Sequence, residues 1–291
     1  MANFKKRVPE NVPGDFFVDS TCIDCDACRQ IAPSVFGEAA ETSFVKAQPS
    51  ATTDRRQTLR ALLACPTGSI GCLGNDDVKA VMKDFPLVIE EPVFYCGYNS
   101  PKSYGGNSYL IRHAAGNWLI DSPKFVTPLV KQLEALGGIA HIFLTHRDDV
   151  ADAEQFAKHF GSRRIIHRDE LSSQPGAEFV LEGEGPWELV PGFLGIPTPG
   201  HTKGHCVLLF ANRFLFTGDH LDWDRDEQHL AAAEDYCWYS WPQQAESTKL
   251  LADYHFEWVL PGHGQKVHLP AAKMRGEILR LAESMRERKM R

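Results

Sequence analysis

The sequence predicts a two-part protein of mixed helix and strand: a short α+β segment marked by cysteines, then a longer α/β segment. Three observations carry this. Cys22, Cys25 and Cys28 stand at two-residue gaps, and Cys65 follows at a distance, immediately before Pro66. From Val93 onward, short apolar runs alternate with turns and helical stretches, the order expected of an α/β fold. Several of those runs end on a histidine or an aspartate, which gathers polar side chains from distant sequence at one sheet edge.

Within residues 1–75, Asp15–Asp19 reads as a strand entering the cysteine loop, with Ser43–Ala47 as its return partner. Thr53–Ala64 has helical spacing through Leu59, Leu62 and Leu63 and leads into Cys65. Residues 76–90 start polar and turn apolar at Val78, Val81 and Met82, and are taken as a connector. In residues 91–270, Asn107–Arg112 is expected to pair with Asn117–Asp121. His141–Thr145 reads as a buried strand ending at His146, a helix falls between 149 and 160, and Arg163–His167 is the next strand. Phe214–Asp219 and Trp258–His263 each end a strand on Gly-Asp or Gly-His. In residues 271–291, Met274, Ile278, Leu281 and Met285 recur at helical spacing. Lys273, Arg275, Arg280, Arg286, Arg288, Lys289 and Arg291 outnumber Glu277, Glu283 and Glu287 there. This predicts a basic amphipathic helix that packs its apolar stripe on the domain, although such a helix can also bind a membrane surface or a partner.

The 291 residues, 43% hydrophobic, suffice for one large or two modest domains with a real core. The net charge of −7 argues against nucleic acid as a ligand. No apolar stretch approaches the roughly 18 residues of a membrane span, and the N-terminus lacks the apolar region of a secretory signal. Eight cysteines without an export signal, four of them at cluster spacing, indicate a reducing, cytoplasmic setting. Cys72, Cys96, Cys206 and Cys237 are expected to be buried small hydrophobes, Cys72 being near enough in sequence to approach the other four.

Two-residue gaps let three thiolates converge on one cluster, and the distant Cys-Pro closes it, the ligand spacing of a [4Fe–4S] centre. Zinc is the competing occupant, although zinc cysteines usually come as two separated pairs. A structural disulfide set is a third. The segment resembles the bacterial ferredoxins over most of its length. It departs from two-cluster members at Ala32-Pro33, where they carry a further Cys-Pro, and at Gln57–Ala61, where a second triplet is missing. The resemblance therefore implies one cluster on Cys22, Cys25, Cys28 and Cys65. The intact Cys25 favours four irons over three. Whether the cluster is redox-active or structural stays open.

His146, His201 in Thr-Pro-Gly-His, Asp219 in Thr-Gly-Asp and His263 in Pro-Gly-His each follow an apolar run. Their order and flanks resemble the metallo-β-lactamase superfamily from about Asn107 to His263. That resemblance implies an αββα sandwich with a metal site at the edge between its sheets, and a supporting role for Asp121. The superfamily loop His-x-His-x-Asp-His departs here: the second His is Asp148, and the Asp and last His fall on Val150 and Ala151. By the resemblance, His146, His201 and Asp219 belong to the first metal position, with Asp148 as an added carboxylate, as in flavodiiron proteins. The second position keeps only His263 and a share of Asp219, with Asp152 one helical turn beyond Asp148. A single metal is expected. Two His and one carboxylate suit non-haem Fe(II), and persulfide dioxygenases of this fold look similar. Zinc tolerates the same ligands, and a decayed, metal-free site is the bland alternative.

These readings together suggest an iron–sulfur oxidoreductase that passes electrons from the cluster to a mononuclear iron or zinc site acting on a small substrate or O2, with a redox protein as partner. Two others stand beside it. One is a metal-dependent hydrolase with a structural or regulatory cluster. The other is a ferredoxin-type carrier or redox sensor on a metal-free scaffold.

Overall fold

The computed structural model describes residues 2–288 and divides into two compact units, one of residues 1–140 with 151–160, the other of residues 141–150 with 161–291. The expected basic residues Lys289 and Arg291 lie outside the described residues. No helix among the described residues is long and apolar enough to cross a membrane.

In the first unit, β1 (Phe16–Val18) is followed by α1 (Ala27–Ile31), the hairpin β2 (Phe36–Ala39) and β3 (Thr42–Val45), α2 (Thr52–Ala64) and β4 (Ile70–Cys72). The strand partner differs from the sequence expectation. β1 pairs antiparallel with β4, Phe16 opposite Cys72 and Val18 opposite Ile70, whereas β3 pairs with β2. The reason lies in two side-chain amides. Asn11 Oδ1 accepts from both Val18 N (3.1 Å) and Val45 N (2.9 Å). Gln48 brackets Phe16, accepting from its N–H and donating to its carbonyl. The edge of β1 that faces β3 is thus occupied by side chains, and the ladder forms on the other edge.

The core of this part joins Phe16, Val18, Val35, Phe36, Val45, Leu59 and Ile70. Within the expected connector, α3 (Val78–Met82) buries Val81 in that core, and Asp84 is held by Arg56 and Arg60. A meander follows: β5 (Leu87–Glu90), β6 (Val93–Tyr95), β7 (Tyr109–Ile111) and β8 (Trp118–Ile120), all antiparallel neighbours. Helices α4 (Thr127–Ala135) and α5 (Ala153–Phe160) complete the unit. Helix α5 begins at Ala153 rather than near 149, because residues up to Asp152 form a turn in which Ala151 has a φ of 32°.

In the second unit, β9 (His141–Phe143), β10 (Arg163–His167) and β11 (Phe179–Leu181) are parallel neighbours. A second sheet runs β12 (Trp187–Val190), β13 (Phe193–Pro197), β14 (Cys206–Phe210), β15 (Phe214–Gly218), then β18 (Trp258–Pro261) and β19 (Val267–His268). Between the last two groups lie the small ladder of β16 (Asp222–Asp224) with β17 (His229–Ala231) and helix α6 (Trp241–Leu250). The terminal helix α7 (Ala271–Arg288) is a core element. Its Met274, Ile278, Leu281 and Met285 are buried with Leu215, Val259 and Trp241, and Trp241 Nε1 donates to the Met285 carbonyl at 3.0 Å.

Candidate cluster site and metal centre

All four predicted cluster cysteines line one cavity in the first unit, with Val18, Ile23 and Ile70 as apolar walls. Their thiols are free of disulfides. The loop that carries three of them turns through left-handed residues at Asp24 (φ 54°) and Asp26 (φ 63°), a conformation aspartate tolerates. Arg29, almost fully buried, pins that loop. Its Nη1 donates to Asp24 Oδ1 (2.5 Å) and Ser43 Oγ (2.8 Å), and its Nε to Asp26 Oδ1 (2.6 Å).

Backbone N–H groups point at sulfur. Asp24 N lies 3.4 Å from Cys22 Sγ, and Ser69 N lies 3.3 Å from Cys65 Sγ. Burial pushes the Cys25 thiol up to about 12, and it pushes Cys28 up as well. Thiols so raised stay protonated unless a metal ion takes them, and coordination to iron deprotonates a thiol outright. Four convergent sulfurs, apolar walls and N–H donors fit a cubane cluster. Cys72 does not line the cavity. Its Sγ donates to Asp76 Oδ2 at 3.1 Å.

The metal-ligand candidates gather in the second unit, each at the end of a strand or in a short loop. His146 follows β9, where Thr145 Oγ1 lies 3.0 Å from His146 Nδ1. His201 sits in a turn closed by Thr198 N donating to the His205 carbonyl (2.8 Å). A Cβ on Gly200 in this turn would meet Gln244 Cβ at 2.3 Å, which explains the Pro-Gly-His string. Asp219 follows β15 through Gly218, whose φ is +48° and whose Cβ would lie 2.6 Å from Thr145 Oγ1. Only glycine fits there. His263 follows β18, with Gly262 N donating to the Gly218 carbonyl at 2.7 Å.

These ends meet at ligand distances. His146 Nε2 is 3.5 Å from Asp219 Oδ2 and 3.8 Å from Asp148 Oδ2, and His201 Nε2 is 3.6 and 3.5 Å from the same two oxygens. Metal–ligand bonds of about 2.0–2.2 Å place neighbouring donor atoms roughly this far apart. His146 and His201 are buried, while the Asp148 side chain is about half exposed, which leaves that side open. Burial alone would raise the Asp219 carboxyl. The imidazoles of His263, His146 and His201 outweigh it and hold Asp219 well below the usual carboxylate range. A hydrogen bond from His201 lowers Asp148 against its partial burial. Both carboxylates are therefore ionised, as metal ligands must be.

Asp149, which the sequence reading passed over, points into the same centre and is almost fully buried. Its Oδ1 lies 3.9 Å from His263 Nε2, and His263 Nε2 lies 3.9 Å from Asp219 Oδ2. His146, Asp149 and Asp219 form a second convergent group beside that of His146, Asp148 and His201. A Cβ on Gly262 would sit 2.6 Å from both Asp149 Oδ2 and Asp219 Oδ1, so this glycine keeps the space between two buried carboxylates clear. Adjacent buried carboxylates are costly without positive charge between them. The donors present fit a metal at the first position, and Asp149 with Asp219 and His263 adds ligands at a second.

One expected ligand candidate, Asp152, takes another place. Asp152 belongs to the first unit, where its carboxylate accepts from Lys102 Nζ (2.6 Å), Phe125 N (2.9 Å) and Gln155 Nε2 (3.1 Å). It is thereby occupied as a helix-start residue. Asp121, also in the first unit, is buried with a left-handed φ of 53° at the end of β8.

Other residues near the centre carried no motif. Glu170 is fully buried and ties two ligand loops together. It accepts from Arg147 N (3.2 Å) and Gly204 N (2.7 Å), with Arg147 Nε at 3.1 Å. His205 lies 5.1 Å from the His146 ring with its Nδ1 2.9 Å from Thr198 Oγ1. Burial lowers its pKa well below the ordinary value and that of His220 to about 3, so both rings stay neutral. Trp238, largely exposed, meets the His201 ring edge-on at 6.2 Å, with Tyr236 beside it.

Residues 18–72 match the family described as the 4Fe-4S single cluster domain of ferredoxin I. The N-terminal part of this chain is thus a single-cluster ferredoxin-type domain, and its cofactor is a [4Fe–4S] cluster. The fold beyond it is like that of solved metallo-β-lactamases. The metallo-β-lactamase FIM-1 from Pseudomonas aeruginosa, solved in its mono-zinc form, superposes with a TM-score of 0.52 at 15% identity, over 68% of this chain and 93% of that one. DIM-1 metallo-β-lactamase gives 0.52 at 16% identity over 68% and 95%. A metallo-β-lactamase family protein from Thermus thermophilus gives 0.50 at 17% identity over 70% and 81%. At these identities the likeness defines the fold alone.

Proposed function

We propose that this chain is an iron–sulfur oxidoreductase in which the cluster of residues 1–75 exchanges electrons with a metal centre in residues 91–270 that acts on a small substrate or O2. The observation that carries this reading is the convergence of His146, Asp148, His201 and Asp219 within 3.5–3.8 Å, in a chain that also carries a domain built for one-electron chemistry. Two imidazoles with carboxylates and no thiolate suit iron, manganese or zinc. A metal held there supplies a Lewis-acid position and, if it is iron, a second one-electron centre. His146 and His201 fix the geometry from the buried side. Asp148 and the partly exposed His263 define the side from which a substrate enters, and Trp238 stands against His201 as an apolar wall. The electrons come from or go to a redox protein in a cytoplasmic setting.

A second reading is favoured by Asp149. With Asp219 and His263 it offers a second metal position, and a bridged pair of metals activates water for hydrolysis, leaving the cluster a structural or regulatory role. A third keeps the cluster as a carrier or sensor and the rest as a metal-free scaffold. Metal analysis of anaerobically purified protein separates them. About five irons per chain, four of them in the cluster, is the expected result. About four irons with zinc would replace the oxidoreductase by the hydrolase, and about four irons with no other metal would leave only the carrier.

A further inference from the structure

Residues beyond the matched segment 18–72 form a wall against Cys25 and Pro66. Gly105 has a φ of +87°, and a Cβ built on it would lie 2.6 Å from Cys25 Cβ, 3.0 Å from Cys25 Sγ and 3.1 Å from Pro66 Cγ. Its backbone therefore lies against Cys25 and against Pro66, the residue after Cys65. Asn99, fully buried, holds that loop in place. Its Nδ2 donates to the Gly105 carbonyl (2.6 Å), its Oδ1 accepts from the buried Tyr95 hydroxyl (2.6 Å), and its backbone N–H donates to the carbonyl of Ala64, the residue before Cys65 (3.2 Å).

Lys124 completes the wall. Its N–H donates to the Tyr98 carbonyl (2.9 Å) and its Nζ to the Pro66 carbonyl (2.7 Å), one residue from the ligand Cys65. The side chain is half-buried, and among the described residues no carboxylate forms an ion pair with it. All these residues belong to the same compact unit as the four cysteines.

We propose that Lys124 is a potential-setting residue of the cluster, held in place by the Tyr95–Asn99–Gly105 wall. Reduction adds one negative charge to a centre already bound by four thiolates. An ammonium group held nearby, away from bulk water and without a compensating anion, stabilises the reduced state more than the oxidised one. The wall keeps solvent from screening that charge and shields the Cys25 side of the cluster.

The test is a redox titration with dithionite of the whole, anaerobically purified protein, followed by the cluster's visible absorbance and the electron paramagnetic resonance of its reduced form. Lys124→Met is expected to retain cluster iron and absorbance. Its reduction equilibrium constant should fall about tenfold, a midpoint about 59 mV more negative for a one-electron couple. Lys124→Arg, which keeps the charge, should restore most of the shift. An unchanged midpoint in Lys124→Met, or an equal shift in Lys124→Arg, would overturn the assignment. If Lys124→Met cannot hold a cluster, Lys124→Gln takes its place in the titration. Loss of the cluster in both neutral variants, with Lys124→Arg intact, would show that Lys124 holds the cluster rather than tunes it, and the proposal would fall. Gly105→Ala probes the wall itself. It should bleach several-fold faster in air than the parent, and an unchanged rate would remove the shielding role.

Discussion

The two centres of this protein are assembled in opposite ways. Three of the four cysteines that line the cluster cavity fall within seven residues, Cys22 to Cys28, and a short loop pinned by Arg29 brings them together. The metal candidates span His146 to His263, and a whole sheet edge must form before they meet. A locally encoded site can be read from spacing, because few backbone paths connect its ligands. A site assembled from distant strand ends depends on turn geometry at every end. One residue of difference there decides which carboxylate faces the metal.

Replacing Cys65 by Ser should have the largest effect. It removes the one cluster ligand that comes from outside the local loop, and the broad absorbance near about 400 nm should be lost or become labile. A folded variant with unchanged absorbance would mean that the cluster closes on another residue. Next, His146→Ala or His201→Ala should abolish metal binding in the second unit while leaving cluster iron intact, since each leaves too few ligands at the first position. Asp149→Asn and His263→Ala should act as a pair, lowering metal content by no more than one ion. If either empties the centre completely, the two positions are not separable.

A smaller effect is expected from Glu170→Gln. It weakens the joint between the loops of His146 and His201 without touching a ligand. Metal affinity should drop by about 10–100-fold, read by competition with a chelator, while the cluster spectrum stays constant.

The smallest effect sharpens the local side of the comparison. Asp84, nearly buried, is lowered by Arg56 and Arg60 against the opposing effect of burial. A carboxyl so depressed adds stability that is fully present above the ordinary aspartate value of about 4 and is lost as pH falls through its lower folded value. Asp84→Asn should therefore cost about 1–2 kcal/mol at neutral pH. The gap from the parent in thermal unfolding should narrow towards pH 3. A gap that is constant with pH would mean the ion pairs contribute nothing.

Much of this molecule was legible without coordinates. Cysteine spacing pointed to Cys22, Cys25, Cys28 and Cys65, and these four line one cavity. The strings Thr-Gly-Asp and Pro-Gly-His marked loops whose side chains converge, because Gly218 and Gly200 stand where any side chain would collide. The period of Met274, Ile278, Leu281 and Met285 announced a helix with one apolar stripe, and that stripe is buried in the core. Tertiary structure alone decided the rest. It gave β1 the partner β4 because Asn11 and Gln48 occupy its other edge. It turned Asp149 inward and committed Asp152 to Lys102 and the Phe125 N–H, a choice made by the backbone of a turn that carries no periodic signal. It also placed Asn99, Gly105 and Lys124 against the segment Ala64–Pro66, far along the chain from them. Spacing along a chain constrains ligands that share a loop. Residues that meet only after folding are selected by packing, burial and charge, which no local pattern records.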